Sequence, residues 1–225
     1  MFARLPSAVF LSISLFWRRK MKNHSTKRSL IIGFCVTVIV IALNVFATAQ
    51  DDKSGNPKIF SRSVVWISTG ANVPTSGSSL FRSKGGVFFT LTTSGLTPGD
   101  AVTLWMAVFN NPENCATNPC SPADFANPAV DGTLLNTGGR VIGFDGSATF
   151  GAYRAVGDVT GARPATGTGN GLVDPLRAEI HLVVRDHGVA QLGNPTVLQE
   201  QLSMFFGGCP MGIGCANLQT SINQR

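Results

Sequence analysis

The segment 101–109 is apolar on both faces of an extended chain, and this pattern constrains the possible fold more than any other feature. One face carries Val102, Leu104, Met106 and Val108, and the other carries Ala101, Trp105, Ala107 and Phe109. Successive side chains of a strand point to opposite faces of its sheet, so a strand with this pattern is buried on both sides. We therefore predict an interior strand in a sheet that is covered above and below.

Short apolar runs separated by turn residues recur along the chain and predict further strands. The candidates are 64–67, 86–93, 140–144, 147–153, 178–185 and a closing edge strand at 218–222. Pro98 and Gly99 favour a type II turn, and Asp145 and Gly146 favour a two-residue hairpin between 140–144 and 147–153. Many short strands predict an all-β fold, an antiparallel β-sandwich of the Ig-like or jelly-roll-like kind, with a closed barrel as the alternative.

One short helix is expected near the C-terminus. Apolar pairs recur every four residues between 197 and 206, Asn194 suits the N-cap, Pro195 suits the first helical position, and two glycines follow at 207 and 208. The stretch 156–171 is rich in Gly, Thr and Ala without any periodicity, which predicts a long mobile loop.

Residues 21–49 have the order of a secretory signal peptide. A basic run leads into mostly apolar residues at 30–46, and Ala47, Thr48 and Ala49 supply small residues before a cut at Gln50. Residues from 50 onward are therefore expected to be secreted or periplasmic. A retained membrane anchor at 30–46 is the alternative, and only this leader would contact a membrane. Since Met21 opens a complete signal, residues 1–20 are interpreted as an upstream extension.

Setting the leader aside changes the charge of the protein. Seven of the 18 Lys and Arg residues precede residue 50, whereas none of the 12 Asp and Glu residues does. The remaining 11 basic and 12 acidic residues give a net charge of −1, and a nucleic-acid-binding domain would need a basic excess. We therefore exclude nucleic acid as a partner. The remaining chain divides into a linker with a first strand, 50–75, and a β-sandwich domain, 76–225.

Four cysteines remain beyond the leader, which itself contains Cys35. Cys115, Cys120, Cys209 and Cys215 are an even number, which in an exported protein indicates two disulfides. Of the three possible pairings we favour the local ones, 115 with 120 and 209 with 215, because Pro and Gly near each pair allow the chain to reverse.

A four-cysteine zinc site is less favoured because its spacings exceed those of a zinc ribbon. A copper site is also less favoured because no His follows Cys209, so no metal or cofactor is expected.

Three stretches carry a family resemblance. They are 93–99 with its continuation through Trp105 to Cys115, the strand 178–188, and the ending from Gly207 to Gln219. These stretches resemble a widespread family of exported bacterial β-rich proteins of unknown function, over most of 75–222. The resemblance implies an exported β-rich domain, and it implies no activity and no catalytic residues.

One polar group of residues falls on a single face of the predicted strand 178–187. Glu179, His181, Arg185 and His187 are residue types that serve metal and acid–base sites. Six residues of strand would separate His181 from His187 by about 20 Å, too far to share a metal ion. We therefore favour a solvent-exposed sheet face, with His187 in the turn that follows.

Common catalytic motifs are missing from the sequence. It contains no Gly-x-Ser-x-Gly, no His-Glu-x-x-His and no phosphate-binding loop. We predict a non-catalytic exported module that binds a surface, a glycan or a partner protein through loops at one end of the sandwich. The alternative is a small enzyme or metal-binding protein built around Glu179, His181, Asp186 and His187.

Overall fold

The computed structural model describes residues 56–163, 169–209 and 215–225. Within these ranges the chain forms nine strands and one α-helix, α1 (Pro195–Ser203). The strands are β1 (Lys58–Arg62), β2 (Val65–Trp66), β3 (Gly77–Ser83), β4 (Gly86–Thr93), β5 (Asp100–Phe109), β6 (Gly132–Val141), β7 (Ala148–Ala155), β8 (Glu179–Val189) and β9 (Ala216–Asn223). Short 3₁₀ helices lie at Pro112–Asn114, Pro122–Ala126 and Pro128–Val130. The predicted leader lies outside the described residues.

The strands form two antiparallel sheets that pack face to face. The four-stranded sheet has the order β1-β3-β4-β7, and the five-stranded sheet has the order β2-β9-β8-β5-β6. Buried side chains from both inner faces fill the space between them, including Leu80 and Phe89 from one sheet and Leu104, Met106 and Leu182 from the other. The predicted antiparallel β-sandwich with one short C-terminal helix is confirmed. No helix among the described residues is long and apolar enough to cross a membrane.

Strand β5 is buried along its whole length, as its double apolar pattern predicts. Leu104 belongs to the core between the sheets, whereas Trp105 belongs to a second apolar cluster on the outer face of the five-stranded sheet. The turn before β5 also matches its prediction, because the Asp100 N–H donates to the Thr97 oxygen and Gly99 has a φ of +87°.

Helix α1 helps to cover the outer face of the five-stranded sheet. The Asn194 side chain accepts a hydrogen bond from the Val197 N–H at 3.2 Å, and Pro195 opens the helix, as predicted. The helix lies against β5 and β6. A Cβ atom at Gly139 of β6 would overlap the backbone of Leu202, so glycine at this position permits the close approach of the helix.

The predicted hairpin around Asp145 and Gly146 is wrong. β6 pairs with β5 in one sheet, and β7 pairs with β4 in the other, so the link between β6 and β7 crosses the sandwich. Gly146 does occupy a turn with a φ of +64°, and its oxygen accepts from the Leu96 N–H at 3.0 Å. A turn dipeptide fixes local backbone direction, whereas strand partners depend on long-range packing.

Of the predicted strand 140–144, only 140 and 141 belong to β6, whereas the other predicted strands agree with the structure at their centres. The 50–75 segment supplies β1 to one sheet and the two-residue β2 to the other, and β1 has no counterpart among the predicted strands. β9 is not an edge strand along its whole length, because β2 pairs with it at Thr220 and Gln219. In the predicted loop 156–171, the described residues form turns and isolated bridges from Val156 to Leu172 and from Leu135 to Ala162.

Candidate functional site

The polar face of β8 is buried, so the predicted solvent-exposed sheet face is wrong. Glu179, His181, Arg185 and His187 are 4%, 8%, 4% and 1% exposed. His187 also lies within β8 instead of in the turn after it. Segments that are distant in sequence cover this face, namely α1 with the residues after it and the 3₁₀ region that follows β5. The strand pattern alone could not show that cover.

Glu179 and His181 form a hydrogen-bonded pair at the start of β8. Glu179 Oε1 accepts from His181 Nε2 and from the Cys120 backbone N–H, each at 2.7 Å, and Glu179 Oε2 accepts from Gln224 Nε2 at 3.2 Å. Burial raises the pKa of Glu179, but these hydrogen bonds together outweigh burial and hold the pKa below its ordinary value. The carboxylate is therefore stabilised in its ionised form.

His181 lines an apolar pocket on the outer face of the five-stranded sheet. Because a carboxylate only accepts, Nε2 carries the proton in the Glu179 contact. Nδ1 makes no hydrogen bond with any described residue. The imidazole also packs edge-on against Phe109, with 5.1 Å between ring centroids.

This outer-face pocket has a volume of about 500 Å³, within the range of small-molecule sites. Strands β5 and β8 form its floor, and the segment 122–126 and Phe205 form its walls. Its lining residues are mostly apolar: Trp105, Ala107, Phe109, Pro122, Ala123, Phe125, Ala126, Leu134, Val183 and Phe205, together with His181, Arg163 and Asn217. The described lining therefore contains no Ser, Thr or Cys.

Two arginines pack on Phe205 at the edge of this pocket. The Arg185 guanidinium lies 3.8 Å from the centroid of the Phe205 ring, and the Arg163 guanidinium lies 4.5 Å from it. Arg185 Nε donates to the Phe205 oxygen at 2.7 Å, and Nη1 donates to Asn217 Oδ1 at 2.6 Å. Burial, followed by the charge of Arg163, lowers the pKa of Arg185 to about 10. Arg185 thus fixes Phe205 in the pocket wall, while Arg163 adds a guanidinium group to the pocket lining.

His187 occupies a separate polar site at the other end of β8. Its Nδ1 lies 2.9 Å from the Gly207 oxygen, which can only accept, so Nδ1 carries the proton. Its Nε2 therefore accepts from Thr103 Oγ1 at 2.8 Å, and Thr103 Oγ1 in turn accepts from Trp105 Nε1 at 2.8 Å. Burial lowers the pKa of His187. This chain of hydrogen bonds fixes the plane of the ring.

The two predicted cysteine pairs lie at opposite ends of β8. Cys115 pairs with Cys120, and Cys209 pairs with Cys215, each with 5.3 Å between Cα atoms and with the sulfurs at bonding distance. The Cys120 backbone contacts Glu179, and Cys215 Sγ lies 3.1 Å from His187 Nδ1. The four cysteines are therefore not brought together as a four-cysteine metal site would require.

The predicted site residues separate into three environments. Glu179 and His181 lie together at the outer-face pocket, Arg185 supports the pocket wall, and His187 joins the 209–215 pair. Asp186 lines none of these three environments, because its carboxylate accepts from the Gly188 N–H at 2.8 Å. Burial, followed by the charge of Asp186, raises the pKa of nearby Asp100. No protein-family model matches the chain, and a search of curated proteins finds no significant match. Geometry and chemistry therefore carry the functional argument.

The pocket itself has no clear signature in the sequence. Trp105, Phe109 and Phe205 resemble ordinary core residues in the sequence, and Arg163 lies in the segment predicted to be a loop. The one available signal was the second apolar face of 101–109, since that face needed a cover of its own. Whether such a cover seals the face or leaves a pocket depends on tertiary packing.

Proposed function

We propose that this protein is an exported, non-catalytic binding module that holds a small, largely apolar ligand in the outer-face pocket. The observation that carries the proposal is a pocket of about 500 Å³ with mostly aromatic and aliphatic lining and a few polar groups. Such a combination is typical of ligand sites, where the apolar walls supply affinity and the polar groups fix orientation. The proposed site lies on a sheet face, whereas the sequence suggested loops at one end.

The polar groups at the pocket favour an aromatic or aliphatic acid as the ligand. The Arg163 guanidinium is a permanent cation, and a carboxylate is its best geometric partner. His181 Nδ1 adds a second polar contact. Trp105 and Phe205, whose ring centroids lie 5.1 Å apart, offer aromatic surfaces for the apolar part of the ligand.

The same geometry supports binding over catalysis. A general base works best when its pKa lies near the working pH, whereas the hydrogen bonds to Glu179 hold its pKa below the ordinary carboxyl value. The described lining also offers no hydroxyl or thiol nucleophile to pair with His181. An enzyme built on Glu179 and His181 is therefore the less favoured function.

Binding of the aromatic anion 8-anilinonaphthalene-1-sulfonate tests the proposal, with dye and tryptophan fluorescence as readouts. Ala107→Leu fills the pocket floor and should weaken binding by about tenfold or more. Ala155→Leu makes the same change on β7 in the other sheet and should leave binding unchanged. Arg163→Met should weaken binding of the anionic dye more than binding of a neutral aromatic analogue. Equal binding by the Ala107 and Ala155 variants would refute the pocket as the site.

A second candidate function is adhesion to a flat polysaccharide surface through the four-stranded sheet. Four exposed apolar side chains form one row in register across β1, β3, β4 and β7: Ile59, Phe81, Phe88 and Tyr153. At about 4.8 Å per strand the row is roughly 14 Å long. Contiguous exposed apolar patches mark interaction surfaces, whereas single exposed apolar residues are ordinary.

Retention on insoluble polysaccharide tests this second function. Phe88→Ser interrupts the row and should abolish retention, while Phe144→Ser changes a fully exposed phenylalanine away from the row and should not. If both variants bind the polysaccharide as strongly as the unchanged protein does, the row does not mediate adhesion.

A further inference from the structure

We propose that His187, Cys209 and Cys215 form a zinc site when the disulfide between the two cysteines is reduced. One imidazole nitrogen and two sulfurs lie within 4.8 Å of one another at the end of β8. Two thiolates and one imidazole are a known ligand set for zinc with a fourth position left open. The group is distinct from the outer-face pocket, which His181 lines.

The distances in the oxidised protein are already close to those of a metal centre. His187 Nδ1 lies 3.1 Å from Cys215 Sγ and 4.0 Å from Cys209 Sγ. A tetrahedral ion with ordinary zinc bond lengths needs about 3.5 Å between a nitrogen and a sulfur ligand, and about 3.8 Å between two sulfurs. Only the two sulfurs therefore have to move apart, which rotation of their side chains can provide.

The surroundings of His187 are those expected around a metal-binding histidine. Nδ1 faces the sulfurs, and Nε2 lies 2.8 Å from Thr103 Oγ1. When the metal takes Nδ1, the proton shifts to Nε2, which then donates to Thr103 Oγ1. A second hydrogen bond of this type fixes the tautomer and the ring plane of metal ligands. The Gly207 carbonyl oxygen loses its Nδ1 partner in this state.

The reaction balances with a dithiol as reductant. The dithiol gives two electrons and two protons to the Cys209–Cys215 disulfide and becomes a cyclic disulfide itself. Binding of Zn²⁺ then releases the two thiol protons to solvent, so the ion and two thiolates form a neutral group. A neutral group suits this location, because His187 is 1% exposed and both cysteines are half-buried. Oxidation of the thiols would expel the metal, which makes the site dependent on redox state.

Zinc titration of the full-length chain tests this proposal, with Cys35, Cys115 and Cys120 changed to Ser so that only the 209–215 pair can supply thiols. In the presence of a phosphine reductant, one Zn²⁺ should bind per chain, measured by competition with a chromophoric chelator. The oxidised protein should bind at least about 100-fold more weakly. Co²⁺ should give a thiolate-to-metal charge-transfer band in the reduced protein only.

Two further variants identify the ligands. Cys215→Ser should abolish the charge-transfer band or halve it. His187→Asn retains an amide donor for the Gly207 oxygen but removes the ring nitrogen, and it should weaken zinc binding by at least about tenfold. Thermal melting of each variant without metal separates loss of the site from loss of the fold. Absence of 1:1 binding in the reduced protein, or unchanged affinity in a folded His187→Asn variant, would overturn the proposal.

Discussion

Arg82 Nη1 of β3 donates to the Ala178 backbone oxygen at 2.5 Å, and this contact joins the two sheets inside the sandwich. Arg82 is fully buried and also donates to the Pro175 oxygen at 3.0 Å and to the Asn223 oxygen at 2.7 Å. Burial, followed by the charge of Arg62, lowers the pKa of Arg82 to about 10. One guanidinium thus satisfies three carbonyl oxygens around the start of β8 and the end of β9.

Arg82→Met should therefore destabilise the protein strongly. The substitution keeps an apolar stem but leaves buried carbonyl oxygens without donors, at about 1–3 kcal/mol each. We expect the free energy of unfolding to fall by about 3 kcal/mol or more in urea denaturation. Arg62→Met removes an exposed arginine from neighbouring β1 and should change stability by about 0.5 kcal/mol at most. Similar midpoints for the two variants would contradict this role of Arg82.

The two sides of β5 should contribute comparably to stability. Trp105→Ala should lower the free energy of unfolding by about 3–5 kcal/mol and Leu104→Ala by about 2–5 kcal/mol, because each opens a cavity in a different apolar cluster. Chemical denaturation of the two variants measures both losses. A small loss for Trp105→Ala alone would mean that the outer cluster is loosely packed.

The sequence was sufficient for the sandwich and insufficient for its strand partners. The apolar residues of 101–109 predicted that Leu104 and Trp105 are buried on opposite faces of the sheet, because the two-residue alternation of side chains is a property of a single strand. The turn at Asp145 and Gly146 was recognised, yet the strands on either side of it belong to different sheets. Local sequence determines where the chain turns. Which strands then pair with one another depends on how the inward faces of both sheets pack together in the core.

The candidate site shows the same division between local and distant information. The strand pattern placed Glu179, His181, Arg185 and His187 on one face, which is confirmed. The burial of that face was not predictable, because α1 and the segment 122–126 reach it from distant parts of the chain. Cys209 and Cys215 approach His187 for the same reason, so their contact with its imidazole has no signature in sequence spacing.

The cysteines of the purified, unreduced protein should be fully oxidised. Peptide mapping should link Cys115 to Cys120 and Cys209 to Cys215, and a thiol reagent should detect no free thiol beyond Cys35, if the leader is retained. Replacing Cys115 and Cys120 with Ser should lower the free energy of unfolding by about 2 kcal/mol, since the bridge closes a short loop. Detection of cross-links between the two ends of β8 would contradict the pairing.

The ionised Glu179 carboxylate should make the free energy of unfolding depend on pH in the acidic range. Its pKa in the folded protein lies below the unfolded-chain value of 4.5, because hydrogen bonds from His181, Cys120 and Gln224 outweigh burial. The unfolded state therefore binds the proton first as pH falls. The stabilisation is fully present above about pH 5 and is lost as pH falls through the folded pKa.

Glu179→Gln should accordingly lower the free energy of unfolding by about 1–3 kcal/mol at pH 7, since charged hydrogen bonds contribute about this much. The difference between the variant and the unchanged protein should shrink as the pH is lowered from 5 to 3, in urea denaturation at each pH. His181→Ala in both backgrounds completes a double-mutant cycle, and its cost should be smaller in the Glu179→Gln background because the carboxylate partner is already gone. The difference in free energy of unfolding between Glu179→Gln and the unchanged protein could instead stay constant from pH 7 to pH 3. That result would mean that the ionised carboxylate contributes nothing to stability, and that Glu179 acts only through its shape.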